Sequence, residues 1–328
     1  MANKGILIVA LSQRGSLSPA TFELVTAGRK LADASKEPLM AVVLSEKASA
    51  LAGELASRGV DKVFAVESPA LASFNEQVHA KAAAEVALKE GCGKVLLASS
   101  VAGRALAARL AVLLKAGLAS DVSEILPGGT VLRPYYSGNL IAEVQFKSPV
   151  SVMTLAPMSY PRAEAAATKG EVVTAPFDAG APKSQNVSFL PEQTNEIDLG
   201  GAEKIVAGGR GLMNAEGFKP LRELAQVIGA AIGASRAAVD SGWIPYRNQI
   251  GLTGRSVRPK LYIAVGISGQ IQHLAGMSSS GTIVAINTDK DCPLMQMASI
   301  SVQGDFNEII PVVIDEVKKR RGATAVAA

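Results

Sequence analysis

Histidine and cysteine are nearly absent from this chain, with two of each in 328 residues. His79 and His273 suggest no Ser-His-Asp arrangement, and no H-E-x-x-H run or close carboxylate pair in a glycine-rich turn occurs. Cys92 and Cys292 lie far apart without metal-ligand spacing and read as structural thiols, so no metal is expected. Aromatic residues make up only 4%, which excludes a stacking-rich nucleic-acid binder. No apolar run approaches the roughly 18 residues of a membrane span. The opening Met-Ala-Asn-Lys-Gly runs into Ile6–Leu11, too short for a secretion signal, so a soluble protein of bacterial cytoplasm is expected. Charge is also unconcentrated: 33 basic and 29 acidic residues leave a net charge of +4, interspersed along the chain. The densest cluster, Lys318-Lys319-Arg320-Arg321, reads as a solvated last helical turn whose cations suit the helix dipole.

What is present is small and apolar. Hydrophobic residues reach 48%, dominated by Ala, Val and Leu, and Gly is abundant, a composition suited to helices packed closely on a sheet. The length fits two domains. Residues 5 to 11 form a continuous apolar run, the mark of a parallel strand covered on both faces. Ser18-Pro19 predicts a helix start with an N-cap and a first-turn proline. Strands Leu39–Leu44, Lys62–Val66 and Lys94–Ala98 then alternate with helices Ala48–Arg58, Phe74–Glu90 and Gly103–Lys115, which predicts a parallel doubly wound sheet. Three β-like segments, Thr130–Tyr136, Leu140–Phe146 and Val150–Leu155, are expected to add antiparallel strands to its edge. Residues 161 to 200, poor in apolar side chains, read as a linker, which places domains at 1–190 and 191–328.

The first domain has no G-x-G-x-x-G turn. Its one polar strand end, Ser99 to Arg104, reads as a helix cap with an inter-domain or subunit contact, or as a ligand position. The second domain carries such turns repeatedly. After the strand Lys204–Ala207 comes Gly208-Gly209-Arg210-Gly211, where glycines permit close backbone approach to phosphate and Arg210 adds a cation. A helix Ala215–Ala231 and a strand Ala234–Ala238 follow, with Ser235-Arg236 at the strand. Gly251-Leu252-Thr253-Gly254 brackets a hydroxyl with glycines, and Ser268-Gly269-Gln270-Ile271-Gln272-His273 is expected to open a helix. A last strand, Thr282–Ile286, ends in Asn287, and a last helix spans Phe306–Lys319. These turns suit a large polar cofactor, and the scarcity of acid–base residues means that the ligand supplies the chemistry.

The runs Ala234-Ser235-Arg236-Ala237-Ala238-Val239-Asp240, Gln249-Ile250-Gly251-Leu252-Thr253-Gly254, Leu261 through Met277 and Ile283-Val284-Ala285-Ile286-Asn287 resemble the alpha subunit of electron-transfer flavoproteins. The likeness covers the second domain closely and the first more loosely, through Gly103–Leu110 and Gly117–Asp121. It implies two doubly wound α/β domains, the C-terminal one a Rossmann-like domain that binds FAD, and a heterodimer with a beta subunit. By position, Arg210, Ser235, Ile250, Gly251, Leu252 and Thr253 would line the flavin, while Ser268, Gly269, Gln270, Ile271, Gln272, His273, Asn287 and Asp305 would hold the rest of the cofactor. The resemblance puts Arg236 over the isoalloxazine, Thr253 beside N5 and His273 near the pyrimidine carbonyl, groups that would favour the anionic reduced ring. Leu252, Arg255 and Gln270 depart from the Gln, Lys and Ala that the family usually carries there. The implied activity is electron transfer from acyl-CoA or other flavoprotein dehydrogenases to a downstream acceptor. The alternatives are an electron-bifurcating complex using NADH, an NAD-dependent transferase and a regulatory nucleotide-binding module.

Overall fold

The computed structural model describes residues 4–326 apart from 14, 139, 185 and 189–195. Chain contacts fall into two units, residues 1–135 with 141–191 and residues 136–140 with 192–328. In the first, seven parallel strands stand in the order Glu171–Thr174, Lys62–Glu67, Leu39–Ser45, Ile6–Gln13, Lys94–Ala98, Ser151–Leu155 and Gly117–Val122. The alternation of side chains along a strand explains why helices cover both faces. Ile6, Ile8 and Ala10 pack with Leu24, Leu31 and Leu55 on one face. Leu7 and Val9 pack with Val86, Leu106 and Leu110 on the other. The helices Pro19–Ser35 and Ala48–Ala56 therefore lie on the first face, and Glu76–Lys89 and Val101–Leu113 on the second. Asn75 and Ser100 cap the latter pair through their side chains, whereas Ser18 makes no side-chain cap bond.

Two expectations for this unit change. Ser151–Leu155 is no antiparallel edge strand: it runs parallel between Lys94–Ala98 and Gly117–Val122, and all five residues are buried. An apolar run of this length fits either role by composition, and only its two neighbours decide. The antiparallel pairing sits instead in a separate three-stranded sheet of Glu124–Ile125, Val131–Tyr135 and Leu140–Val144. The stretch after 161, expected as a linker, is tied to the unit. Glu171–Thr174 adds the outermost parallel strand, the Arg58 guanidinium donates to the Ala163 carbonyl at 2.7 Å, and the Asn75 amide donates to that of Ser184 at 2.9 Å. Its low apolar content is that of an exposed sheet edge.

The second unit is a five-stranded parallel sheet in the order Ala231–Ala234, Lys204–Gly208, Leu261–Val265, Thr282–Asn287 and Ile300–Gln303. Val206, Ile263 and Val265 face the helix Phe218–Ile228 together with Ile310 and Ile314 of Phe306–Val326. Ile205, Ala207, Tyr262 and Ala264 face the other side with Leu294 and Met277. Gly229, in the left-handed region at φ 66°, ends the helix earlier than the sequence predicted. The next strand consequently occupies Ala231–Ala234, and the stretch expected to be strand, from Arg236 on, is a short helix, Arg236–Asp240. From Lys204–Gly208 the chain moves outward to Ala231–Ala234 and returns to Leu261–Val265 on the opposite side, so the direction of winding reverses between Lys204–Gly208 and Leu261–Val265. Outside the carboxyl ends of such a pair lies the ligand crevice of open α/β sheets. Among the described residues, no helix is long and apolar enough to cross a membrane.

Candidate functional site

A cavity of about 550 Å³ opens at this reversal in the second unit. Of the residues expected to hold a ligand, Arg210, Ser235, Arg236, Ile250, Gly251, Leu252, Thr253, Ser268, Gly269, Gln270, Gln272, His273 and Asn287 all line it. They come from five separate stretches, each at or just after the carboxyl end of a strand or in the Gln249–Arg255 loop. Ile271 and Asp305 do not line it. The Ile271 side chain is 67% exposed, and Asp305 caps the last helix by accepting from the Asn307 amide at 2.8 Å. Gln249, Asp240 and Asp289 line the wall unforeseen. Their neighbours offered the signal: Gln249 adjoins Ile250, Asp289 follows Asn287, and Asp240 stands one helical turn from Arg236.

The glycines of the wall serve the protein's own backbone first. A Cβ on Gly209 would fall 2.2 Å from the Gly266 carbonyl oxygen, and the Gly211 amide donates to that same oxygen at 3.0 Å. The turn read as leaving room for phosphate is thus demanded by close contact between two strand ends. Arg236 reaches Asp240 at 3.2 Å, an exposed i,i+4 pair. The Asn287 amide donates to the Ile267 carbonyl at 3.1 Å while its oxygen accepts from the Asp289 amide at 3.1 Å, which fixes the turn after the strand. Ser235 differs: its hydroxyl is buried and has no hydrogen-bond partner among the described residues. A buried orphan hydroxyl is costly unless a ligand completes it.

His273 lines the cavity with both of its ring nitrogens bonded within the protein. Its Nδ1 lies 3.1 Å from the Ile250 carbonyl oxygen, which only accepts, so Nδ1 carries the proton. Nε2 is then an acceptor, and the Tyr262 hydroxyl donates to it at 3.0 Å. Burial drives the His273 pKa down to about 4, and the Ile250 bond opposes this only in part. Burial likewise pushes that of Tyr262 up. Both ring nitrogens have partners inside the protein, so the imidazole is an uncharged strut between strand, helix and loop.

Elsewhere the polar groups singled out by sequence are internally satisfied. Ser99 donates to Asp121 and accepts from Thr154 at 3.1 Å, Arg104 donates to the Ser99 carbonyl at 3.1 Å, and Ser100 caps the following helix. Both cysteines are buried, and burial raises the Cys92 thiol to about 12, which leaves it inert.

Residues 198–278 match the electron transfer flavoprotein FAD-binding domain, and residues 6–179 the electron transfer flavoprotein domain. A protein of Thermoanaerobacterium thermosaccharolyticum named electron transfer flavoprotein subunit alpha is 41% identical over 327 residues, covering 96% of this chain and 98% of its own length. Proteins of the same name from Bacillus subtilis and Megasphaera elsdenii are 36% and 37% identical, covering 96% and 97% of this chain and 98% of their own lengths. The wall fits FAD: the cavity is of cofactor size, the unpartnered Ser235 hydroxyl would accept from or donate to a polar group there, and Arg210 and Arg236 would offer cations to anionic oxygens. FAD supplies the electron chemistry, and the chain binds and orients it. By its likeness along nearly the whole length, and by the FAD-binding domain that carries its cavity, this chain belongs to the electron transfer flavoprotein alpha-subunit family.

Proposed function

We propose that the chain is the FAD-bearing subunit of a heterodimeric electron carrier, which accepts electrons from flavoprotein dehydrogenases such as those of acyl-CoA and delivers them to a downstream acceptor. Residues 191–328 would hold FAD, and residues 1–190 would meet the beta subunit. The observation that carries this proposal is the convergence of Ser235-Arg236, Ile250–Thr253, Ser268–Gln270 and Asn287 on one strand-end cavity. Its wall offers binding groups and cations, while its one histidine is neutral and committed to protein partners. Such a wall supports transfer through a bound ring rather than acid–base turnover on a substrate.

The test is absorption and redox titration of the chain copurified with its beta subunit. One FAD per heterodimer, reducible by a dehydrogenase and its substrate, is the expected result. A colourless native heterodimer would refute the carrier function and leave a regulatory or transferase module. Two flavins with direct reduction by NADH would make the complex electron-bifurcating. The chain expressed alone is expected to lose flavin.

A further inference from the structure

Gln249 is the least exposed polar side chain of the cavity wall, at 2%, and although it opens the run Gln249–Gly254 no role toward the ligand was assigned to it. Its backbone is fixed at both ends. The amide donates to the Tyr246 carbonyl at 2.9 Å, and the carbonyl accepts from the Arg255 amide at 2.8 Å, which closes the loop that carries Thr253. Within that closed loop the Gln249 Nε2 donates to Thr253 Oγ1 at 3.0 Å, and the Tyr246 hydroxyl holds the Thr253 carbonyl. Thr253 is therefore held by main chain and side chain together, although it is exposed to the cavity.

A threonine hydroxyl has one proton to give and lone pairs to accept with. Left alone it rotates toward whichever acceptor is nearest, including its own backbone. With an amide N–H pointed at Oγ1, the orientation that aims the hydroxyl proton at Gln249 is repelled, and the proton is free to face the cavity. We propose that Gln249 is a positioning residue: by occupying Thr253 Oγ1 as an acceptor, it makes the Thr253 hydroxyl a hydrogen-bond donor toward the bound FAD. This rests on the cavity being the FAD site. The direction of that proton matters because a flavin gains negative charge when it takes up one electron, so a donor favours that anionic form over the oxidised one and an acceptor opposes it.

The experiment is a double-mutant cycle on the flavin-loaded heterodimer, with Gln249→Met and Thr253→Val singly and together, read by redox titration and by the FAD dissociation constant. Gln249→Met keeps length and apolar bulk but removes the N–H. It is expected to lower the ratio of one-electron-reduced to oxidised flavin at fixed potential by about tenfold, near the lower end of what a hydrogen bond to a charged acceptor is worth. In the Thr253→Val background it should change nothing further, since its effect passes through that hydroxyl. Gln249→Glu, ionised, would accept the Thr253 proton and should match Thr253→Val or fall below it. Independent, additive shifts would overturn the proposal, as would a Gln249→Glu titration identical to wild type, which would mean that the amide oxygen faces Thr253. If Gln249→Met fails to fold, the Gln249→Glu comparison still decides. A wild-type heterodimer without flavin would overturn the functional proposal and this one together, whereas a flavin-loaded wild type with unresponsive Gln249 variants would overturn this one alone.

Discussion

Arg236 presents an exposed charge at the cavity wall. Its side chain is 67% exposed and shares its cation with Asp240, so any pull on an anionic ring would be that of a screened surface group. Arg236→Ala should lower the reduced-to-oxidised ratio at fixed potential by about fivefold, equivalent to roughly 1 kcal/mol, while FAD stays bound. A redox titration checks this, and an unchanged curve would remove Arg236 from the tuning. His273 shows which part of a site a motif leaves unread. Its place in the motif was legible in the sequence, but the partners of its two nitrogens were not, because Ile250 and Tyr262 reach it from elements 23 and 11 residues away. Leu252 is a departure that sequence alone revealed, and it is 67% exposed at the cavity wall.

At the scale of elements, the close contacts between strand ends set what the turns tolerate. Gly209 has an extended backbone at φ −111°, so space and not conformational freedom makes glycine necessary there. Its neighbour cannot retreat: the Gly266 amide is bonded to the Ile286 carbonyl at 2.9 Å, and the Gly209 amide to the Val265 carbonyl at 2.9 Å. Gly209→Ala should destabilise the protein by about 2 kcal/mol through overpacking. Gly53, in the helix Ala48–Ala56, is the control: a Cβ added there would meet nothing within 4 Å, and its change to Ala should stabilise by about 0.5 kcal/mol. Denaturant unfolding of both variants measures the contrast. The strands and helices themselves were largely readable from apolar runs and caps. The misplacements came where composition underdetermines position, at Ser151–Leu155, at Glu171–Thr174 and around Gly229.

For the whole molecule, two buried histidines impose a pH dependence. Burial brings His79 and His273 down to about 4 from an ordinary value of 6.5. Below 6.5 the unfolded chain takes up protons that the native state refuses, so stability is intact above that pH and falls as acid is added toward 4. Each histidine contributes on the order of 3 kcal/mol over that window. Melting temperatures measured from pH 7 to pH 4 should drop, and His79→Gln or His273→Gln should each flatten the slope.

The sequence by itself determined that two α/β units form, that the second ends its strands in glycine-broken polar turns, and that FAD is the ligand of the family it resembles. The first two are local, following from runs, spacings and turns of neighbouring residues, and the third is what the resemblance of whole motifs implies. Tertiary structure alone decided strand order, and hence that the winding reverses beside Gly209 and Gly266. It also decided which donors were left over. Whether a hydroxyl such as Ser235 is orphaned, a ring such as His273 committed, or an oxygen such as Thr253 Oγ1 occupied by an amide depends on groups brought together in the fold, each competing for the same few hydrogen bonds.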